Sequence, residues 1–270
     1  MRIQIHTITV LAALVLIIPQ QVRAQEEPGS AADLAKKLAN PIASLISVPF
    51  QNNTDLGIGN NLGSRNILNI QPVIPIGITE NLNLITRVIL PVISQQGITG
   101  TGDSEFSLGD AVISAFFSPA STKSGVVWGM GPVVLAPTAT NDFLASRKFG
   151  IGPTAVALYQ AGGITFGALV NQIWSIAGDA SRPDVSTFFF QPFLTYNWKT
   201  GAGIGGNFEL TRNWNAETTT LWLNPTLSAV TSMGRQKVQF ALGPRINLAA
   251  PEGSKSKFGI RAVLILLFPK

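Results

Sequence analysis

The chain has 270 residues, 46% hydrophobic and 12% charged, with a net charge of +5, no cysteine and one histidine, His6. The absence of cysteine excludes disulfides and thiolate chemistry. Because His6 lies in a segment that reads as a cleaved leader, the mature chain offers no imidazole for Ser-His-Asp catalysis or a His/Cys metal site. Its cations are scattered, apart from pairs such as Lys36-Lys37 and Arg147-Lys148. Nucleic-acid binders cluster them on one face, so no nucleic-acid partner is expected.

Met1-Arg2 gives a positive start, Ile8 to Ile18 is apolar except for Thr9, and Val22-Arg23-Ala24 supplies small residues at a cleavage site. Residues 1–24 therefore read as a secretory signal peptide cut after Ala24. The apolar run falls short of the ~20 residues a spanning helix needs. Residues 25–41 form a polar leader and a short amphipathic helix. Ser30 caps this helix, Asp33 occupies its first turn, Leu34 and Leu38 share a face, and Asn40-Pro41 ends it. No other helix pattern exists to cover that stripe. Leu34, Lys37 and Leu38 are thus candidates for a plug at the mouth or inside a lumen.

Residues 42–270 read as strand and turn throughout. The longest apolar stretch there is Ala262 to Phe268. A mean hydropathy of +0.29 without spanning helices requires the apolar residues to be placed by alternation, which is the pattern of a transmembrane barrel with an apolar outside and a polar lumen. The expected fold is all-β: a transmembrane antiparallel β-barrel of about 12 strands, at 42–51, 65–78, 82–94, 106–117, 125–138, 147–159, 163–176, 188–198, 202–213, 221–232, 238–248 and 257–268. The alternation is clearest in 238–248, where Val238, Phe240, Leu242, Pro244, Ile246 and Leu248 oppose Gln239, Ala241, Gly243, Arg245 and Asn247. The expected connections alternate between longer ones, such as 52–64 and 95–105, and shorter ones, such as 79–81 and 160–162. This is the loop asymmetry of outer-membrane barrels. Six prolines inside strands (Pro72, Pro132, Pro153, Pro192, Pro225 and Pro244) predict bulges or kinks in the wall. Trp128, Trp174, Trp198, Trp214, Tyr159 and Tyr196 near strand ends suit interfacial girdles.

Most local motifs have plain readings. Gly201-Ala202-Gly203-Ile204-Gly205-Gly206 fits the dinucleotide-binding spacing, but a strand follows it and that motif needs a helix. Ser254 and Lys257 fit S-x-x-K only within a loop. Asp103, Glu105 and Asp110 lack calcium-loop spacing. No catalytic, cofactor or metal residue is assigned. The charges that alternate with apolar neighbours carry more information: Arg87, Glu209, Arg245 and Arg261 should face the lumen, with Asp110 if 106–117 is in register. There they either tune selectivity or brace the barrel by pairing.

The segments NPIASLISVPFQNN at 40–53, LNIQPVIPI at 68–76, NLITRVILPVI at 83–93 and LILLFPK at 264–270 resemble a bacterial outer-membrane family. Its members are usually labelled "transporter" or, misleadingly, neuromedin U, and it is related to the outer-membrane group of the phenol-degradation meta pathway. The resemblance runs from the short helix to the C-terminus and implies a barrel that takes up small compounds, aromatic ones among them. Together these readings predict a channel for passive transport of small solutes, aromatic or anionic, in the outer membrane of a Gram-negative bacterium. Its expected partners are outer-membrane lipid, lipopolysaccharide, the barrel-assembly machinery and the solute. The alternatives are a barrel enzyme acting on lipid or peptide, and a plugged structural barrel.

Overall fold

The computed structural model describes residues 29–121 and 125–268. The expected signal peptide and the terminal Pro269-Lys270 lie outside the described residues. Helix α1 spans Ala31–Leu38. The Ser30 hydroxyl accepts from the Asp33 amide at 3.2 Å, and Asp33 in turn accepts from the Gly29 amide at 3.0 Å. Both bonds satisfy amides that a helix start leaves without partners. Lys37 pairs with Asp33 one turn back at 2.8 Å. After the helix, the Asn40 side chain accepts from the Ile42 amide at 3.0 Å and turns the chain inward.

The rest is one antiparallel sheet of fifteen segments: β1 Ile46–Ile58, β2 Gly63–Ile70, β3 Val73–Thr79, β4 Leu82–Gln96, β5 Ser104–Leu108, β6 Ala111–Pro119, β7 Val126–Ala136, β8 Lys148–Ala161, β9 Ile164–Gly178, β10 Ser186–Asn197, β11 Ala202–Asn213, β12 Thr218–Met233, β13 Gln236–Pro244, β14 Ile246–Ala249 and β15 Phe258–Phe268. The pairs β2/β3, β5/β6 and β13/β14 are each one pass with a break, so the fifteen segments make twelve passes. The ring closes where β1 pairs antiparallel with β15, from Ile46 opposite Phe268 to Leu56 opposite Phe258. Closure leaves no sheet edge, the condition for crossing a bilayer with strands.

Two expectations are corrected. The first strand is not 42–51 followed by a long loop; it is β1, with only a turn at 59–62 before β2. Ile42 and Leu45 are buried inside the barrel, while the polar stretch Gln51 to Asp55 is strand. The six prolines also do not make bulges. The register shifts lie at Leu56/Ile58, Gly77/Thr79, Phe149/Gly150 and Leu221/Trp222. Pro72 and Pro244 fall at strand breaks, and pairing resumes beyond the others in the same register. Pro132, Pro153 and Pro244 are exposed on the outer face, and each follows a glycine. A Cβ on Gly152 would come within 1.7 Å of the Gln172 carbonyl oxygen, and one on Gly243 within 1.8 Å of that of Pro225. The glycine admits the neighbouring strand's backbone where the proline interrupts the ladder.

The outer face carries exposed Phe149, Ile151, Leu194, Ile204, Leu227, Phe240 and Leu242. Aromatic residues gather at both ends of the barrel. Tyr159 and Phe166 lie 5.7 Å apart, and Tyr196 packs edge-on to Trp198 at 5.5 Å, at the end that carries α1. Trp174 and Trp214 are exposed at the opposite end. The hydrophobic core lies inside the ring. Leu34, fully buried, packs with Ala35, Ala43, Leu45, Val230 and Leu267. Ile42 packs against Val73, Ile85, Phe116, Val156, Leu158 and Leu169 from the opposite wall. Burying side chains of this size stabilises by roughly 1.5–3 kcal/mol each, so the segment from α1 to Leu45 is held in the lumen by apolar contact.

Candidate functional site

The lumen lining is uneven. Strands β3 to β9 contribute the apolar cluster of Val73, Ile85, Phe116, Val156 and Leu169, although Gln95, Glu105 and Lys148 are buried on β4, β5 and β8. Strands β1, β11, β12 and β15 contribute most of a charged network, although Val230 and Leu267 are buried on β12 and β15. Both sets follow from period-2 alternation, which turns every other residue inward.

The charged network is organised around Glu209 on β11. Arg261 on β15 grips it with Nη1 on Oε1 at 2.8 Å and Nη2 on Oε2 at 3.0 Å, and Arg245 donates through Nη1 to Oε2 at 3.0 Å. Arg245 also donates through Nε to Asp55 at 3.1 Å and through Nη1 to Asn224 at 3.2 Å, with its guanidinium 3.7 Å from the centre of the Trp222 ring. Arg261 donates through Nε to Asn53 at 2.8 Å, and Gln191 donates to Glu209 at 3.3 Å. Arg245 and Arg261 are 8% and 2% exposed. Ions held this far from water persist only when each hydrogen-bonding direction is met, and the forked Arg261–Glu209 pair provides that geometry. The network is a cross-brace between β1, β10, β11, β12 and β15, whose members lie more than 200 residues apart in sequence at the extremes.

Arg87 on β4 stands outside this brace. Its Nη2 donates to Gln71 at 2.6 Å, and among the described residues no carboxylate lies within ion-pair distance. It faces a cavity of about 270 Å³ lying between the brace, with Arg261 in its wall, and the plug segment from Lys37 to Leu45. Leu38 lines this cavity, as does Lys37, whose ammonium is tied to Asp33.

Asp110 lies apart from the other four charges. It falls in the break between β5 and β6, where it accepts from the Ala139 and Ser146 amides at 3.1 and 2.8 Å and from the Ser146 hydroxyl at 2.5 Å. It pins the 137–147 loop. Asp55, Asn53 and Trp222 belong to the brace although sequence reasoning did not single them out. Asn53 and Asp55 fall in the expected 52–64 connection, and the sequence assigns Trp222 no role. The signal that finds Asn53 and Asp55 is their inward phase with Gln51, visible once β1 is extended to Ile58.

No family model and no curated protein matches the chain. Among solved structures it is similar to an outer membrane channel from Pseudomonas putida F1, at a TM-score of 0.66 and 17% identity, covering 90% of this chain and all of that one. It is more distantly similar to outer membrane phospholipase A from Escherichia coli (TM-score 0.45, 11% identity, 83% of this chain and 98% of that one). An anion-selective porin from Comamonas acidovorans stands at TM-score 0.42 and 10% identity, with the same coverages. The fold is thus that of the outer-membrane β-barrels: closed, even-stranded and antiparallel, apolar outside, with its N-terminal segment folded into the lumen.

Proposed function

We propose that the protein is an outer-membrane channel for passive passage of small solutes, with the segment 30–45 restricting its periplasmic end. The observation that carries this reading is the cavity between the plug and the Glu209 brace. A barrel serving only as a scaffold gains by packing its interior, whereas this one keeps a space walled by Arg87, Arg261 and side-chain amides. The mature chain, cut after Ala24, has neither imidazole nor thiol for the acid–base and nucleophilic chemistry of a hydrolase. A plugged structural barrel is favoured by one feature, the full burial of Leu34. The two readings separate on whether the plug moves.

In this reading the family is the "transporter" group that the segments at 40–53, 68–76, 83–93 and 264–270 resemble. The outer face meets outer-membrane lipid and lipopolysaccharide, and the assembly machinery inserts the barrel. Mature protein with Gln25 at its N-terminus should fractionate with outer membranes and migrate differently on gels before and after heating. Purified protein should give discrete conductance steps in planar bilayers. Recovery in the soluble periplasm, or silent bilayers with correctly folded protein, would contradict the proposal.

A further inference from the structure

The cavity beneath the brace has a mixed lining. Arg87 and the amides of Gln51, Gln71, Gln191 and Gln239 share it with Leu38, Leu45, Val73, Phe193 and Ile265, and Val73 lies directly opposite Arg87, as Ile265 does opposite Gln239. Gln239 is 8% exposed, and its amide makes no side-chain hydrogen bond among the described residues. Arg87 holds one bond, to Gln71, of the five its guanidinium can donate. Arg245 and Arg261 are each bonded to a carboxylate, and Arg65, opposite Asp55 across β1 and β2, donates to Gln95. Arg87 lacks a carboxylate partner among the described residues and lines the same open volume as the Gln239 amide.

We infer that this cavity is a binding site for a small organic carboxylate with an apolar body. The carboxylate completes Arg87 by the same forked geometry that Glu209 offers Arg261, with Gln239 and Gln191 as further donors. The apolar body lies on Val73, Phe193 and the plug residues Leu38 and Leu45. A volume of about 270 Å³ is at the small end of ligand pockets and suits a single-ring or short-chain acid. An inorganic anion would satisfy the arginine but leave the apolar residues against water. A neutral isostere would fill the volume but leave the cation unpaired. The inference depends on the channel reading only for how the ligand arrives, because binding itself requires no conduction.

Isothermal titration of the detergent-solubilised full mature chain, with a micelle blank, tests it using benzoate, benzamide and chloride as probes. Saturable binding of benzoate is expected, at least tenfold tighter than that of benzamide or chloride. R87Q should lose at least tenfold in benzoate affinity while leaving benzamide unchanged, and R87K should recover part of the loss. Equal binding of benzoate and benzamide would overturn the inference, as would chloride binding as tight as benzoate, or no saturable binding of any probe. The benzoate–benzamide comparison on the unaltered chain decides the matter even where R87Q fails to fold. Benzoate binding by protein that never conducts would sink the channel reading and leave this one standing; conduction without benzoate binding would do the reverse.

Discussion

Glu209 bonds to two guanidinium groups at once, and its removal exposes how the interior charges divide their work. In E209Q the charge is lost and one of the two acceptor oxygens becomes a donor, so Arg261 keeps Asn53 and no carboxylate, while Arg245 keeps Asp55, Asn224 and Trp222. Stripping one partner from a buried ion pair costs on the order of 3 kcal/mol. E209Q should therefore fold but denature at clearly lower urea, read by heat-resistant migration on gels. R245A and R261A should likewise lose stability more than ion preference. R87A should do the opposite: barrel stability nearly unchanged, and reversal potential in a salt gradient shifted away from anions. A shift in all three arginine variants alike would refute this division. Alternation placed Arg87, Glu209, Arg245 and Arg261 on the inward face, and they are there. It did not show who pairs with whom, because that depends on register across strands that meet only when the ring closes. Asp110 shows the limit of phase reasoning: one break in a strand, after Gly109, frees the side chain to serve a loop.

The helix and the first strand differ in how clearly their sequences speak. Ser30, Asp33 and the Leu34/Leu38 stripe define α1 locally, and the structure supplies the missing cover as Val230, Leu267, Ala43 and Leu45 from the barrel's own interior. The start of β1 was not legible. Ile42, Ala43 and Leu45 have the apolar character of a strand, but it buries them as lumen packing. The run Gln51-Asn52-Asn53-Thr54 has the composition of a loop, yet it is strand with polar side chains on both faces. On its outer face Asn52, Thr54 and Asn66 satisfy one another across β1 and β2 at 2.8–3.0 Å. Such an amide cluster tolerates an apolar surrounding because its groups are paired, and composition alone cannot see the pairing. The helix is held by its apolar stripe, with few polar ties to the wall, such as Asn197 donating to the Ala35 carbonyl at 3.4 Å. Leu34→Asp should therefore release α1 without unfolding the ring. Hydrogen exchange of the 31–38 amides should become at least tenfold faster while β8 and β9 stay protected; loss of protection throughout the barrel would show instead that α1 is part of the folding core.

At the scale of the whole molecule the pattern was legible: twelve antiparallel passes, aromatic residues at strand ends and a short helix outside the strand pattern. All of these come from period and position. What alternation could not give is where around the ring the apolar cluster at Ile42 and the charged network at Glu209 fall, since it assigns residues to a face and not to a sector of the ring. Both line an interior narrowed by its own N-terminal segment. The central claim is that this segment restricts a pore, and single-channel recording in planar bilayers tests it most directly, comparing the mature chain with a variant lacking residues 25–39. The account predicts a folded, heat-modifiable barrel whose unit conductance rises severalfold on deletion. An intact barrel with unchanged conductance, or with none in either form, would contradict it.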